Sequence, residues 1–189
     1  MADMDRSVHR KDGIHERAQR AEDQHSRLRG HDGAERQRGE VMSAPTDLSQ
    51  LSGLELLRTA MTTDSRRPFI GDLLGLEVEE LEFGKAVFGL RTRPDFANPL
   101  GTTHGGICAT LLDSVMGCAV HTTLDAGVGY TTLELKINYI RAVPTDGRRL
   151  IATGTTIHVG RTTATAEGRV VDDQGKLVAH GTTTCVIFR

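Results

Sequence analysis

The feature that most constrains the fold is an apolar segment at residues 106–123, which has the period of an α-helix. Apolar side chains recur at every fourth position and again one position later: Ile107, Leu111, Leu112, Val115, Met116, Ala119 and Val120. The segment is therefore apolar around much of its circumference, and such a helix is buried. The rest of the chain has to supply the elements that cover it.

Four stretches downstream have the composition of β-strands. Thr, Val and Ile dominate residues 130–141, 149–159, 162–172 and 177–188, as is typical of sheets. Glycine-containing segments between the last three stretches predict tight hairpin turns.

Two further strands and a helix precede the apolar segment. Leucines at three- and four-residue steps predict a helix that Asp47 or Ser49 caps and that ends before Pro68. Residues 74–93 predict two strands around a turn at Gly84–Lys85. The predicted order is therefore helix, two strands, long helix and four strands.

This order predicts an α+β fold in which a mainly antiparallel sheet of about six strands wraps around the long helix. A single sheet of that size leaves an open face or edge. We therefore expect a homo-oligomer, either a homodimer or a homotetramer.

Residues 1–41 differ in composition from the rest of the chain. They hold nine Arg or Lys residues, nine Asp or Glu residues, no aromatic residue and few large aliphatic ones. Such a segment cannot bury enough apolar surface to offset the loss of chain entropy on folding, so we predict a charged, disordered tail. Residues 42–189 form the predicted globular domain. The globular composition begins at Met42, so Met42 is an alternative natural start of the protein.

Charge and composition argue against several classes of function. The formal net charge of −2 gives no electrostatic case for binding nucleic acid or a membrane. The chain has no Trp and only 4% aromatic residues, which argues against a base-stacking surface. No apolar run reaches the roughly 18 residues that span a bilayer, and the N-terminus lacks the apolar core of a signal peptide. We expect a cytoplasmic protein.

The cysteines predict neither a disulfide framework nor a metal site. There are three of them, an odd number, and no pair has CxxC spacing. We interpret Cys108, Cys118 and Cys185 as small apolar side chains.

The segment NPLGTTHGGICATLLD, residues 98–113, places a histidine and two glycines at the start of the long helix. The first backbone N–H groups of a helix lack internal partners and carry partial positive charge, and glycine lets a ligand approach them. His104, Gly105 and Gly106 are therefore candidates for an oxyanion hole. The alternative is a simple turn with a structural histidine.

Asp113 lies eight residues after Gly105, about two helical turns further along the same side. Aspartate is unfavourable inside a helix. The neighbours of Asp113 on that face are small: Gly106, Ala109, Thr110 and Gly117. This combination favours a site that a ligand approaches closely. In the alternative interpretation, the Asp113 carboxylate caps a loop or pairs with an arginine.

The pattern Asn-x-x-Gly-x-x-His-Gly-Gly, followed by a helical aspartate and the strand TTLELKINYIRAV, resembles the hotdog-fold thioesterase superfamily. It is most similar to the PaaI-like branch, which includes phenylacetic acid degradation thioesterases and acyl-CoA thioesterase 13. The resemblance covers about residues 50–189. It implies a hotdog fold and the hydrolysis of an acyl-CoA thioester to a free acid and CoA.

Position by position, the resemblance implies five site residues. Asp113 matches the catalytic carboxylate, which acts as a general base on water or as a nucleophile. Gly105 matches the residue whose backbone N–H polarises the thioester carbonyl, and His104 matches the histidine that supports the loop beside it. Asn98 matches an asparagine that positions the thioester or the water, and Thr132 matches a small hydroxyl residue near that water.

The resemblance also implies that the aspartate and the glycine of one site come from different subunits. It implies no metal and no cofactor, since CoA is part of the substrate. Two alternatives stay open: a non-catalytic acyl-CoA-binding or sensor protein of the same fold, and a hotdog acyl-thioester hydratase. The acyl group, aryl or aliphatic, stays open as well. Candidate contacts to the CoA phosphates are Arg66, Arg67, Arg141, Arg148 and Arg161.

Overall fold

The computed structural model describes residues 47–63 and 68–189 of the chain. The predicted tail at residues 1–41, the alternative start at Met42, and Arg66 and Arg67 lie outside the described residues. The predictions made for them therefore stay predictions.

The first helix, α1, spans Gly53–Thr62 and begins later than predicted. Ser52 caps it in a reciprocal capping box, in which Ser52 Oγ accepts from the Glu55 N–H and the Glu55 carboxylate accepts from the Ser52 N–H. The predicted cap Asp47 instead accepts from the Ser49 N–H and caps a separate 3₁₀ turn at Leu48–Gln50. The leucine spacing continues from the 3₁₀ turn into α1, so the sequence pattern does not show the break between them.

A short helix, α2, spans Ile70–Leu74 and was not predicted. It ends at Gly75, whose φ of 72° lies in the left-handed region that favours glycine. The strand predicted to begin at Leu74 therefore begins later, as β1 at Glu77–Glu82, and β2 follows at Lys85–Arg91. The hairpin turn lies at residues 83–84, one position before the predicted turn.

The long helix, α3, spans Gly105–His121, and a 3₁₀ turn at Pro94–Phe96 precedes it. Four strands follow it: β3 at Gly129–Tyr139, β4 at Arg149–Val159, β5 at Thr163–Asp172 and β6 at Leu177–Phe188. The six strands form one sheet in the order β1-β2-β4-β5-β6-β3. Every neighbouring pair is antiparallel.

The core lies between α3 and the sheet, and α3 packs against β2 through β6. Leu111, Leu112, Val115 and Met116 of α3 are fully buried, as the apolar circumference of the segment requires. The predicted α+β class, with a six-stranded antiparallel sheet wrapping a long central helix, is confirmed and is the hotdog arrangement.

The helix approaches the sheet closely at two glycines. A Cβ atom at Gly154 would lie 2.5 Å from the carbonyl oxygen of Val115, and one at Gly168 would lie 2.9 Å from Cγ of Met116. Gly154 of β4 pairs with Gly168 of β5 across the strands. The absence of side chains at this pair therefore sets how deeply α3 sits in the sheet.

All three cysteines are free. Cys108 and Cys185 are buried, and Cys118 is half-buried. Among residues 47–63 and 68–189, none of the helices has the length and the hydropathy that crossing a bilayer requires.

Candidate active site

Asp113 projects from the middle of α3 and is held by a single side-chain hydrogen bond from the sheet. Oγ1 of Thr132, on β3, donates to Oδ1 of Asp113 at 2.9 Å. The carboxylate is half-buried. Because the threonine engages only Oδ1, Oδ2 remains available to accept a proton from a ligand or a water molecule.

A β-bulge next to Thr132 directs this contact. Thr132 pairs with Cys185 of β6, but the next paired residue on β3 is Glu134, so Leu133 is the extra residue. Before the bulge, Tyr130 and Thr132 face inward, and after it Leu135 and Ile137 do. A bulge of this kind re-aims side chains and is frequent beside active sites. Here it allows Thr132 to face α3 while the rest of β3 keeps its apolar face inward.

Asp113 and Thr132 line a cavity of about 580 Å³, a size typical of small-molecule sites. One wall of the cavity comes from α3 and β3. We call it the α3/β3 wall, and it consists of Asp113, Ser114, Gly117, Cys118, Tyr130 and Thr132. This wall carries every polar side chain among the described residues that line the cavity.

The other described residues that line the cavity are all apolar. They come from α1, α2 and the first hairpin, and we call this set the hairpin wall. Its members are aliphatic or aromatic: Leu57, Met61, Phe69, Ile70, Leu76, Val78, Leu81 and Phe88. The described lining thus consists of a polar set from α3 and β3 and an apolar set from α1, α2 and the first hairpin.

Gly117 and Tyr130 complete the α3/β3 wall. A Cβ at Gly117 would lie 2.9 Å from the hydroxyl oxygen of Tyr130, so the glycine makes room for the ring. Burial raises the pKa of the Tyr130 hydroxyl, and the negative charge of Asp113 adds to the rise. The hydroxyl therefore stays protonated at neutral pH and faces the cavity as a neutral group.

Burial, with the charge of Asp113 as a second cause, raises the pKa of the Cys118 thiol to about 12. The thiolate is the nucleophilic form of cysteine. Cys118 therefore lines the cavity as a protonated, inert side chain.

The second group of predicted residues surrounds the beginning of α3. His104 is the N-cap, and its Nδ1 accepts from the Gly106 N–H at 2.9 Å. In a neutral imidazole this bond leaves the proton on Nε2. Gly105 is the first helical residue, at the position whose backbone N–H has no partner inside the helix. His104 thus fixes the turn that presents the Gly105 N–H.

Asn98 organises the loop that leads into this turn. Its Oδ1 accepts from the N–H groups of Leu100 and Thr102, and its Nδ2 donates to Oγ1 of Thr102. The His104 N–H donates to the carbonyl oxygen of Phe96, which anchors the end of the loop. In the chain as described, the side-chain bonds of Asn98 stay within its own loop.

Gly105 lines a different cavity from Asp113. This second cavity, of about 310 Å³, is also lined by Tyr139, Arg141 and Val143. The separation of eight residues from Gly105 to Asp113 corresponds to about 12 Å along the helix axis. One chain therefore brings Asp113 and Thr132 together, and separately Asn98, His104 and Gly105, but it does not bring the two groups to one point.

Three features of the site were not predicted from the sequence: Ser114, Tyr130 and the bulge at Leu133. A signal for Tyr130 existed, because it lies two residues before Thr132 on a strand and therefore shares its face. The bulge changes the strand by a single residue and has no marker in the local sequence.

Comparison with known proteins shows a similarity to thioesterases. Residues 100–179 match the model of the Thioesterase superfamily. The chain is 30% identical over 98 residues to acyl-coenzyme A thioesterase 13 of Mus musculus, which covers 51% of this chain and 69% of that protein. It is 24% identical over 116 residues to 1,4-dihydroxy-2-naphthoyl-CoA hydrolase of Listeria monocytogenes, which covers 61% of this chain and 93% of that protein.

The fold is similar to a solved structure of a variant of phenylacetic acid degradation protein PaaI from Thermus thermophilus. The TM-score is 0.57 at 34% sequence identity, and the likeness covers 61% of this chain and 96% of that one.

Proposed function

The chain belongs to the Thioesterase superfamily, with the hotdog fold of PaaI-like proteins, and we propose that it hydrolyses an acyl-CoA thioester to a free acid and CoA. The observation that carries the proposal is the placement of Asp113. Its carboxylate is held by Thr132 among the polar residues of a cavity whose remaining described lining is apolar. In this arrangement the acyl chain contacts the apolar residues, and its thioester lies at Asp113, where it is hydrolysed.

Asp113 has the geometry of a general base. Its Oδ1 is occupied by the Thr132 hydroxyl, and its Oδ2 accepts a proton from water as the water oxygen bonds to the thioester carbon. The C–S bond then breaks, and the CoA thiolate leaves and takes up the proton. In the alternative, Asp113 attacks the carbonyl carbon itself, the C–S bond breaks as the CoA thiolate leaves, and water then hydrolyses the anhydride to the free acid and the Asp113 carboxylate. Either route is complete with a carboxylate, an N–H donor and a water molecule.

The Gly105 N–H is the proposed donor to the thioester oxygen, where negative charge develops. Since Gly105 and Asp113 of one chain line separate cavities, we propose that each site combines Asp113 of one copy with Gly105 of a second copy. His104 and Asn98 position the turn that holds Gly105. Arg141, beside Gly105, is a cation suited to the CoA phosphates.

The two edges of the sheet support pairing of copies through β3. The β1 edge carries Glu77, Glu79, Glu80 and Glu82, and charged side chains protect an edge from pairing. The β3 edge is eleven residues long and exposes Leu133 and Tyr139. A second copy at β3 lies next to Thr132, on the side where the site needs its missing donor.

The test is free-thiol release from a panel of acyl-CoA esters, aryl and aliphatic. We expect release by the wild type and a loss of about 10²- to 10⁴-fold in kcat for Asp113→Asn, because the base is removed. Asp173→Asn, an exposed carboxylate in the turn before β6, is the matched control and should keep full activity. Binding of these esters by the wild type without thiol release would contradict hydrolysis and favour a sensor.

A further inference from the structure

We propose that the site selects acyl groups that carry no polar substituent remote from the thioester. This inference rests on the proposed function and adds the chemical class of the acyl group to it. The acyl groups of this class share a hydrocarbon tail. A straight aliphatic chain and an unsubstituted phenylacetyl group both have one.

The first argument is the division of the cavity between its two walls. The hydroxyl groups of Ser114, Tyr130 and Thr132 all belong to the α3/β3 wall, which also holds Asp113. A carbonyl that reacts at Asp113 is therefore surrounded by the polar groups of the cavity. The remainder of the acyl group lies against the hairpin wall, which is apolar throughout the described residues.

The second argument is the cost of an unpaired hydroxyl. A hydroxyl group that leaves water for an apolar wall loses its hydrogen bonds unless the wall supplies a partner. The side chains of Leu57, Val78, Leu81 and Phe88 in the hairpin wall offer carbon atoms only. A hydroxyl close to the thioester still meets Ser114 or Tyr130, whereas a para-hydroxyl or a terminal hydroxyl does not.

The third argument is charge. Among the described residues that line the cavity there is one acidic side chain, Asp113, and no Lys or Arg. No described lining residue therefore offers a cation to a remote carboxylate of the acyl group, and the Asp113 carboxylate repels it. Dicarboxylic acyl esters are therefore disfavoured more strongly than hydroxylated ones.

The experiment compares matched pairs of CoA esters with the wild-type protein. The pairs are phenylacetyl-CoA with 4-hydroxyphenylacetyl-CoA, and hexanoyl-CoA with 6-hydroxyhexanoyl-CoA. Because a hydrophobic pocket rejects an added hydroxyl by up to about 100-fold, we expect kcat/KM to fall by about 10- to 100-fold for the hydroxylated member of each pair. Equal kcat/KM within the pairs would overturn the proposal. The ratio between phenylacetyl and hexanoyl esters shows which hydrocarbon fits better.

A binding measurement separates this inference from the proposed hydrolysis. Asp113→Asn retains the cavity, and titration calorimetry with the same pairs reports Kd without turnover. A Kd about tenfold or more weaker for the hydroxylated esters supports the inference even if the wild type releases no thiol. Equal Kd values contradict it whatever the activity.

A filling variant tests whether the tail lies on the hairpin wall. Leu57→Trp reduces the space of the cavity, so KM should rise for hexanoyl-CoA and longer esters and stay within about twofold for acetyl-CoA. Leu73→Trp is the control, since Leu73 is exposed and does not line the cavity. An unchanged dependence on chain length in Leu57→Trp, in protein that unfolds like the wild type, would overturn this placement of the acyl group.

Discussion

At the scale of single residues, Gly105 and Asp113 divide the proposed chemistry between a backbone donor and a side-chain base. The donor is a backbone N–H, so no side-chain truncation removes it. A proline in place of Gly105 does remove the N–H, and two local features allow that substitution. Gly105 is the first residue of α3, the helical position at which proline is tolerated. His104 before it has ψ of 136°, which a residue preceding proline readily adopts.

Gly105→Pro should therefore keep the fold and lose turnover. We expect kcat to fall by about 10²- to 10³-fold, the usual effect of removing one oxyanion donor, with a change in the melting temperature of only a few degrees. Gly105→Ala is the matched control, because it keeps the N–H and adds a Cβ at 3.2 Å from the Tyr139 ring. Equal losses of kcat in the two variants would assign the effect to crowding at Tyr139 and not to the donor.

The site residues differ in how far the sequence alone could identify them. His104, Gly105 and Asp113 followed from helix physics and from their spacing, whereas the roles proposed for Asn98 and Thr132 came from the family resemblance. The bond between Thr132 and Asp113 depends on the one-residue bulge at Leu133. No local pattern encodes that bulge, since it arises from how β3 pairs with β6.

At the scale of secondary-structure elements, the position of α3 on the sheet depends on glycines that the strands place side by side. Gly154, Gly168 and Gly181 are successive cross-strand partners on β4, β5 and β6. At Gly154 and Gly168 the space that a Cβ would occupy is filled by α3.

Gly154→Ala should destabilise the protein. Its Cβ would lie 2.5 Å from the Val115 carbonyl oxygen and 2.8 Å from the Met116 nitrogen. Both are backbone atoms, so the helix has to move. Overpacking of this kind costs about 1–3 kcal/mol, which urea unfolding would measure.

Gly129→Ala is the control, because the nearest neighbour of its Cβ would be a Phe188 ring carbon at 3.8 Å. The free energy of unfolding of this variant should stay within about 0.5 kcal/mol of the wild-type value. Equal effects in the two variants would contradict this account of the contact.

The end of α3 carries a pH-sensitive residue. Burial lowers the pKa of His121, whose ring lies 5.3 Å from the Tyr130 ring. In the unfolded chain a histidine takes up a proton near pH 6.5, whereas folded His121 takes it up only at lower pH. Below about pH 6.5 the unfolded state therefore binds more protons, and the free energy of unfolding falls as the pH falls.

We expect the wild type to lose more stability between pH 7.5 and pH 5.5 than His121→Phe, which keeps an aromatic ring beside Tyr130. Urea midpoints at the two pH values measure the difference. The same loss in both proteins would show that His121 is not the group responsible.

The elements themselves were largely predictable. The bounds of β4 and β6 agree with the predicted ranges 149–159 and 177–188, because each strand is flanked by turn residues on both sides. The prediction was wrong for α2, which is five residues long and too short to show a helical period. It was also wrong for the start of α1, where the leucine spacing runs through the break at Ser52.

At the scale of the whole molecule, the residues of the proposed site lie at two separate places in one chain. Asp113 and Thr132 line one cavity and Gly105 lines another. The charged β1 edge and the longer, partly apolar β3 edge favour a second copy at β3. The sequence predicts the elements but not how copies assemble, because assembly depends on surfaces that meet only between chains.

The central claim, a site that takes its base from one copy and its oxyanion donor from another, is tested most directly by mixing two inactive variants. Asp113→Asn and Gly105→Pro are unfolded together, refolded as a mixture and assayed for thiol release from an acyl-CoA. If subunits of a dimer assort at random, half of the dimers are mixed, and each mixed dimer holds one intact site. The account predicts recovery of roughly a quarter of the wild-type activity. Recovery that does not exceed the sum of the two separate variants, in a mixture shown to contain mixed oligomers, would contradict it and place the whole site within one chain.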